Sequence, residues 1–209
     1  MAIVLDGSSG ATLPVPLIVS SGGTGQTTLT SLPLVSPVIS GTPSGVGTLT
    51  SGTAVASTSG TSIDFTSIPS WVKRITVMFN GVSTNGTSQV QLQIGAGSII
   101  TTGYAGAGSY AVNGSSVTGI SFTTGLVINI GVTGQASNTY SGHATLTLVS
   151  GNSWAMSILV CLAGIATTFV GTLMGASSIT LSGALDRVRI TTVNGTDTFD
   201  AGSINILYE

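Results

Sequence analysis

Ser88-Gln89-Val90-Gln91-Leu92-Gln93-Ile94-Gly95 is the stretch whose reading decides the fold. Val90, Leu92 and Ile94 alternate strictly with Gln89, Gln91 and Gln93. A period of two places apolar side chains on one face of a pleated strand and amides on the other, which predicts a half-buried strand. The same alternation recurs along the chain. Ile75, Val77 and Phe79 share a face with Lys73; Ala144, Leu146 and Leu148 alternate with Thr145, Thr147 and Val149. Val188 and Ile190 oppose Arg187, Arg189 and Thr191, and Ile204, Ile206 and Tyr208 share one face near the C-terminus. Asn80-Gly81, Asn85-Gly86, Asn113-Gly114, Gly151-Asn152 and Asn194-Gly195 supply turn signals between these runs. No run reads as a helix, and the only glutamate is Glu209. Short alternating strands with close-spaced turns predict an all-β chain, a jelly-roll-like antiparallel β-sandwich of about eight strands.

Composition narrows the function classes. Four Lys+Arg and six Asp+Glu stand in 209 residues, a charged fraction of 5%, where roughly 25% is usual. Charge keeps monomers soluble and apart, so a chain that omits it either enters a membrane or hides surface against copies of itself. The net charge of −2 leaves no electrostatic footprint for nucleic acid.

Two parts differ in character. Residues 1–50 hold five of the six prolines (Pro14, Pro16, Pro33, Pro37 and Pro43) among short apolar patches. Proline excludes central strands and helix interiors, and this segment has too many apolar residues and too few charges to match the composition of a disordered one. It is expected to run extended as an anchor or shaft packed in an oligomer, ahead of a β-sandwich head at 51–209. The first ten residues lack a basic region and their apolar stretch ends at Asp6, so no cleaved signal is expected. The uncharged run 153–177 is long enough to cross a bilayer. It lacks flanking Lys or Arg, and Trp154, Met156, Ile158, Val160 and Leu162 alternate before Ala163-Gly164 breaks the run. Two buried strands with a short turn are expected there, without membrane insertion. Cys161, alone in the chain, lies in this apolar run and is expected to be buried.

Catalytic and cofactor motifs fail on chemistry. Gly22-Gly23-Thr24-Gly25-Gln26-Thr27-Thr28 has the look of a phosphate loop, but Gln26 stands where a lysine must reach the phosphates. The glycines at 103–108 lack the βαβ context of a dinucleotide site. His143 is the only histidine, which leaves no zinc set and no triad. Asp186, Asp197 and Asp200 do not have calcium-loop spacing and are expected to cap turns or pair with Arg187 and Arg189. No catalytic residue, metal or cofactor is assigned, and the chain is not expected to be an enzyme. The stretch 95–125 is rich in Ser, Gly, Asn and Tyr, the composition of adaptable binding loops. Tyr104, Tyr110 and Tyr140 are candidates to stack on sugar rings, with Asn113 and Asn138 bonding hydroxyls. The other reading of these tyrosines is that they fill the sandwich or a subunit interface.

The segment from Phe65 to Gly86, with Ile68-Pro69-Ser70-Trp71 and Val77-Met78-Phe79-Asn80-Gly81 inside it, resembles C-terminal domains of tailed-bacteriophage fibre proteins. Leu5-Asp6-Gly7-Ser8-Ser9-Gly10, Ser21-Gly22-Gly23-Thr24-Gly25 and the ending Ser203-Ile204-Asn205-Ile206-Leu207-Tyr208-Glu209 are similar to the linkers and termini of the same proteins. The resemblance implies a homotrimer in the virion, joined to other virion proteins through residues 1–50, with a distal head that touches the host surface; the scarcity of charge separately points to a host surface glycan or similar polar partner, bound without a metal. The chain is short for a host-reaching fibre, so a short tail appendage or a capsid fibre is equally implied. The alternative within the same setting is a phage depolymerase acting on host surface polysaccharide, which the scarcity of acidic residues opposes.

Overall fold

The computed structural model describes residues 49–112, 117–128, 136, 138–164 and 170–209. Residues 1–48 of the expected extended segment lie outside the described residues, as do the Asn113-Gly114 turn and the connection at 165–169.

Fourteen strands are described: β1 (Thr50–Ser51), β2 (Val55–Ala56), β3 (Ser62–Thr66), β4 (Arg74–Thr84), β5 (Val90–Ala96), β6 (Ser98–Ile99), β7 (Ala105–Val112), β8 (Thr118–Phe122), β9 (Leu126–Val127), β10 (Thr139–Ser150), β11 (Ser153–Ala163), β12 (Val170–Thr180), β13 (Arg187–Thr192) and β14 (Phe199–Tyr208). They form two antiparallel sheets. The larger runs β1-β14-β4-β10-β11-β12-β7-β8 with β2 also on β14; the smaller runs β3-β13-β5-β6 with β9 also on β5. About eight strands were expected and ten of the described ones have five or more residues; the two-residue strands escape a periodicity argument because they have no period. The region 95–125, expected to be irregular, contains β6, β7 and β8. Its Gly and Ala residues conceal the alternation.

Residues from both sheets share one core in a sandwich-like arrangement. Ile75, Val77, Ala144, Leu146, Leu162 and Leu173 from the large sheet join Leu92, Ile94, Val188 and Ile190 from the small one. Each large aliphatic side chain buried this way stabilises the fold by roughly 1.5–3 kcal/mol. The predicted apolar faces of β4, β10, β13 and β14 are the ones turned inward.

Apart from Gly164, the described residues of the run 153–177 lie in two strands. β11 and β12 pair from Ser153↔Thr180 to Ala163↔Val170, with Trp154, Met156, Ile158, Val160 and Leu162 buried. Among the described residues no helix is long and apolar enough to cross a membrane. Cys161 is exposed, against expectation. An apolar run suggested burial, but alternation sends Cys161 to the face opposite Val160 and Leu162.

One turn signal behaves differently from the others. Gly151 (φ 53°) and Gly195 (φ 69°) lie in turns as expected. Asn80-Gly81 is instead inside β4, where the register against β14 and β10 shifts. Gly81, at φ 62°, supplies a β-bulge there. An Asn-Gly pair offers a left-handed conformation, and long-range pairing decides whether a turn or a bulge uses it.

Candidate functional site

The small sheet departs from the alternation rule at the stretch that predicted it. Val90, Leu92 and Ile94 are buried as expected, yet Gln91 and Gln93 are only 3% and 4% exposed. β5 is covered on both faces. The chain at 123–125 crosses over the amides: Gln93 Nε2 donates to the Thr124 carbonyl at 2.8 Å, and Thr124 Oγ1 donates to Gln91 Oε1 at 2.9 Å. Gly125 allows the close pass, since a Cβ there would meet the Leu92 carbonyl at 2.8 Å and Gln91 Oε1 at 2.9 Å.

Beside this crossing a polar cleft of about 300 Å³ opens, lined by Gln91, Gln93, Thr101, Thr124, Arg189 and Thr191, with Thr61, Ser62 and residues 192–195 completing its wall. Register explains the grouping, because Gln91 lies opposite Thr191 and Gln93 opposite Arg189. Arg189 forms a two-point pair with Asp64 across the strand, Nε to Oδ1 and Nη2 to Oδ2, both at 2.7 Å. That hydrogen bond holds the Arg189 guanidinium above its ordinary pKa. Thr191 Oγ1 donates to the Thr61 carbonyl at 2.9 Å. At the far end Asn194 Oδ1 accepts from Thr192 Oγ1 and from the Thr196 amide, and Asn194 Nδ2 donates to Asp197. The cleft is therefore built of neutral donors and acceptors and one internally neutralised ion pair.

The tyrosines expected to meet a ligand mostly face the core. Tyr104 and Tyr140 are each 2% exposed, so neither ring face is offered to solvent. Tyr104 Oη accepts from the Ile94 amide at 2.8 Å and lies 3.0 Å from the Ile100 carbonyl, to which it donates. Burial pushes its pKa up to about 12, with the Ile94 N–H working the other way. Tyr110 is half-buried, packs against the core and lies opposite Leu173. Asn138 is buried, and Asn113 lies outside the described residues. Ser/Gly/Asn/Tyr composition cannot separate a binding loop from a strand whose large side chains point inward. Two glutamines at alternate positions of one strand were the better signal, read only as its wet face.

The remaining titratable groups are dispersed. Asp186 pairs with Arg187 at 2.8 Å, which holds its carboxyl below the usual range, and it accepts from the Gly97 amide. Asp197 accepts from the Ser88 amide at 2.8 Å and caps the Asn194 turn. Arg74 meets Glu209 at 3.3 Å. Among the described residues no group of three or more His, Cys, Asp or Glu could hold a metal ion.

The outer face of the large sheet is a second feature. β10, β11, β12, β7 and β8 are adjacent in the sheet, and none contains Asp, Glu, Lys or Arg. His143, Leu159, Met174 and Ser109 stand in one cross-strand row, with Leu159 and Met174 about half exposed at 49% and 50%. Exposed Ala155, Ser157, Cys161, Thr172 and Ala176 surround them.

No protein-family model, curated protein or solved structure matches the chain.

Proposed function

We propose that this chain is a structural fibre or appendage protein of a tailed-phage virion, on tail or capsid. Its β-rich head is a homotrimer of jelly-roll type, residues 1–50 anchor it to other virion proteins, and the head contributes to contact with the host surface. The observation that carries the assembly reading is the charge-free field of five adjacent strands on the large sheet. Left in water, a broad uncharged face of Ala, Ser, Thr, Leu and Met lacks the charge that keeps monomers apart. Covered by two further copies, it satisfies the composition of the whole chain. Strand pairs β4/β14 and β5/β13, one in each sheet, support winding of jelly-roll type. The fibre vocabulary at 65–86 supports the virion setting.

Sedimentation or native mass measurement is expected to give a trimer at micromolar concentration. Cys161 serves as an internal reporter of the same face. Its thiol is exposed in the single chain, so it should resist alkylation in the assembled protein and react at once in denaturant. Leu159→Asp should dissociate the trimer, since it would place an unpaired charge in the contact. A stable monomer with a freely reactive Cys161 would overturn the assembly. Separately, a chain lacking residues 1–50 should keep its β-rich circular dichroism and fail to enter particles. Incorporation of that chain would place the anchor elsewhere.

A further inference from the structure

We infer that the cleft on the small sheet is a saccharide site that takes the terminal neutral pyranose of a surface glycan. The inference rests on the host-contact reading only for where the glycan comes from; the cleft itself is independent of the large-sheet face.

Three observations point to this ligand class. The first is the buried amides. Gln91 and Gln93 are more than nine-tenths buried, and each uses one end of its amide on Thr124. The Gln91 nitrogen and the Gln93 oxygen have no described protein partner. Both glutamines line the cleft, so these two amide ends are placed to meet a group bound in it. They offer a donor and an acceptor two residues apart on one strand, a match to the adjacent hydroxyls of a sugar, each of which donates and accepts.

The second observation is charge. Arg189 spends two of its N–H groups on Asp64. Arg189 lines the cleft, and its remaining donors carry little net charge behind them. A phosphate or carboxylate would bring the Asp64 carboxylate into repulsion, whereas a hydroxyl gains a bond at no such cost. The third is size. A cavity of about 300 Å³ is at the lower end of small-molecule sites, roughly 300–1,000 Å³, which admits one sugar ring and the start of a second. No aromatic side chain is among the lining residues, so affinity comes from neutral hydrogen bonds. A single site is weak, and multiple heads on one particle supply the avidity.

The test uses the purified full-length protein and saturation-transfer NMR with methyl glycosides of glucose, galactose, mannose and N-acetylglucosamine. Methyl glycosides stand in for a chain-terminal residue. At least one is expected to receive saturation at millimolar concentration. Arg189→Lys keeps the charge facing Asp64 but loses the planar fork, and should weaken that sugar by ~10-fold. Val193→Phe, at an exposed wall position, should do the same by narrowing the cleft without touching the Gln91–Thr124–Gln93 bonds. Thermal melting of both variants within a few degrees of the parent shows that they fold. Transfer to none of the four glycosides would overturn the proposal. So would equal binding by parent and variants, stronger binding of inorganic phosphate or glucuronate than of any neutral sugar, or binding of free reducing sugars alone. A monomeric or non-virion protein that still binds a glycoside through Arg189 would sink the assembly reading and leave this one standing.

Discussion

Tyr104→Ala is expected to destabilise the fold by about 3–5 kcal/mol, the usual cost of deleting a large buried aromatic. Tyr104 is among the largest fully buried side chains, and its hydroxyl does a strand's work at the end of β5. It accepts the Ile94 amide hydrogen, and donates to the Ile100 carbonyl. Tyr104→Phe keeps the ring and isolates the buried Ile94 N–H, so about 1–3 kcal/mol should be lost. The same group makes stability pH-dependent at the alkaline end. Its folded pKa of about 12 stands above the ordinary value of 10.0. Below the ordinary value both states are protonated and the stabilisation is complete. Between the two values only the unfolded chain ionises, so it binds fewer protons than the native state and stability falls as pH rises. A rise of this size amounts to roughly 2–3 kcal/mol in all. Urea denaturation of the parent and Tyr104→Phe across that range checks both claims. Equal stability of parent and Tyr104→Phe at neutral pH would overturn the capping role, and identical alkaline slopes would overturn the linkage.

Gly202→Ala is the second large effect expected, several kcal/mol in total from backbone strain and overpacking. Gly202 has φ 91° in β14, at the shift where Ala201 pairs with Ser83 and Ser203 with Asn80. A Cβ there would meet the Gly81 carbonyl group and the Asn80 carbonyl oxygen, which are backbone atoms and cannot swing aside. The same bulge is stitched from outside by Ser57, fully buried, whose amide donates to the Gly202 carbonyl and whose hydroxyl donates to the Ala201 carbonyl. Gly202→Ala should therefore lower the melting temperature sharply or leave the chain insoluble. Gly81→Ala is the control: it shares a positive φ of 62° but has open space where the Cβ would sit, so only the conformational cost of about 1 kcal/mol applies. Equal effects of the two substitutions would show that the close approach at Gly202 carries no energy.

The candidate site was half legible. The alternation at 88–95 located β5 and its inward residues, and the pairing of Asp with Arg was foreseen in kind, realised as Asp186 with Arg187 and Asp64 with Arg189. The cleft was not legible, because its residues come from 61–62, 91–101, 124 and 189–195, and nothing local joins them. The two readings of the tyrosines were left open for a related reason. A tyrosine is amphipathic, and whether its ring meets the core or the solvent is set by the strand beside it. Tyr104 is inward, where its hydroxyl accepts the Ile94 amide hydrogen inside β5.

What the sequence by itself determined is the local geometry: an all-β chain, the inward faces of β4, β5, β10, β11, β13 and β14, and a charge deficit. These follow from side-chain period and composition, which are properties of a few residues at a time. Only the tertiary structure decided which strands are neighbours. It covered both faces of β5, made Asn80-Gly81 a bulge, turned Cys161 outward, and laid β7 beside β12 and β8 beside β7 so that five uncharged strands became neighbours in one sheet. Strand order depends on pairing between residues far apart along the chain, where each short segment could satisfy several partners equally well. The choice among them is made by the packing of the whole core.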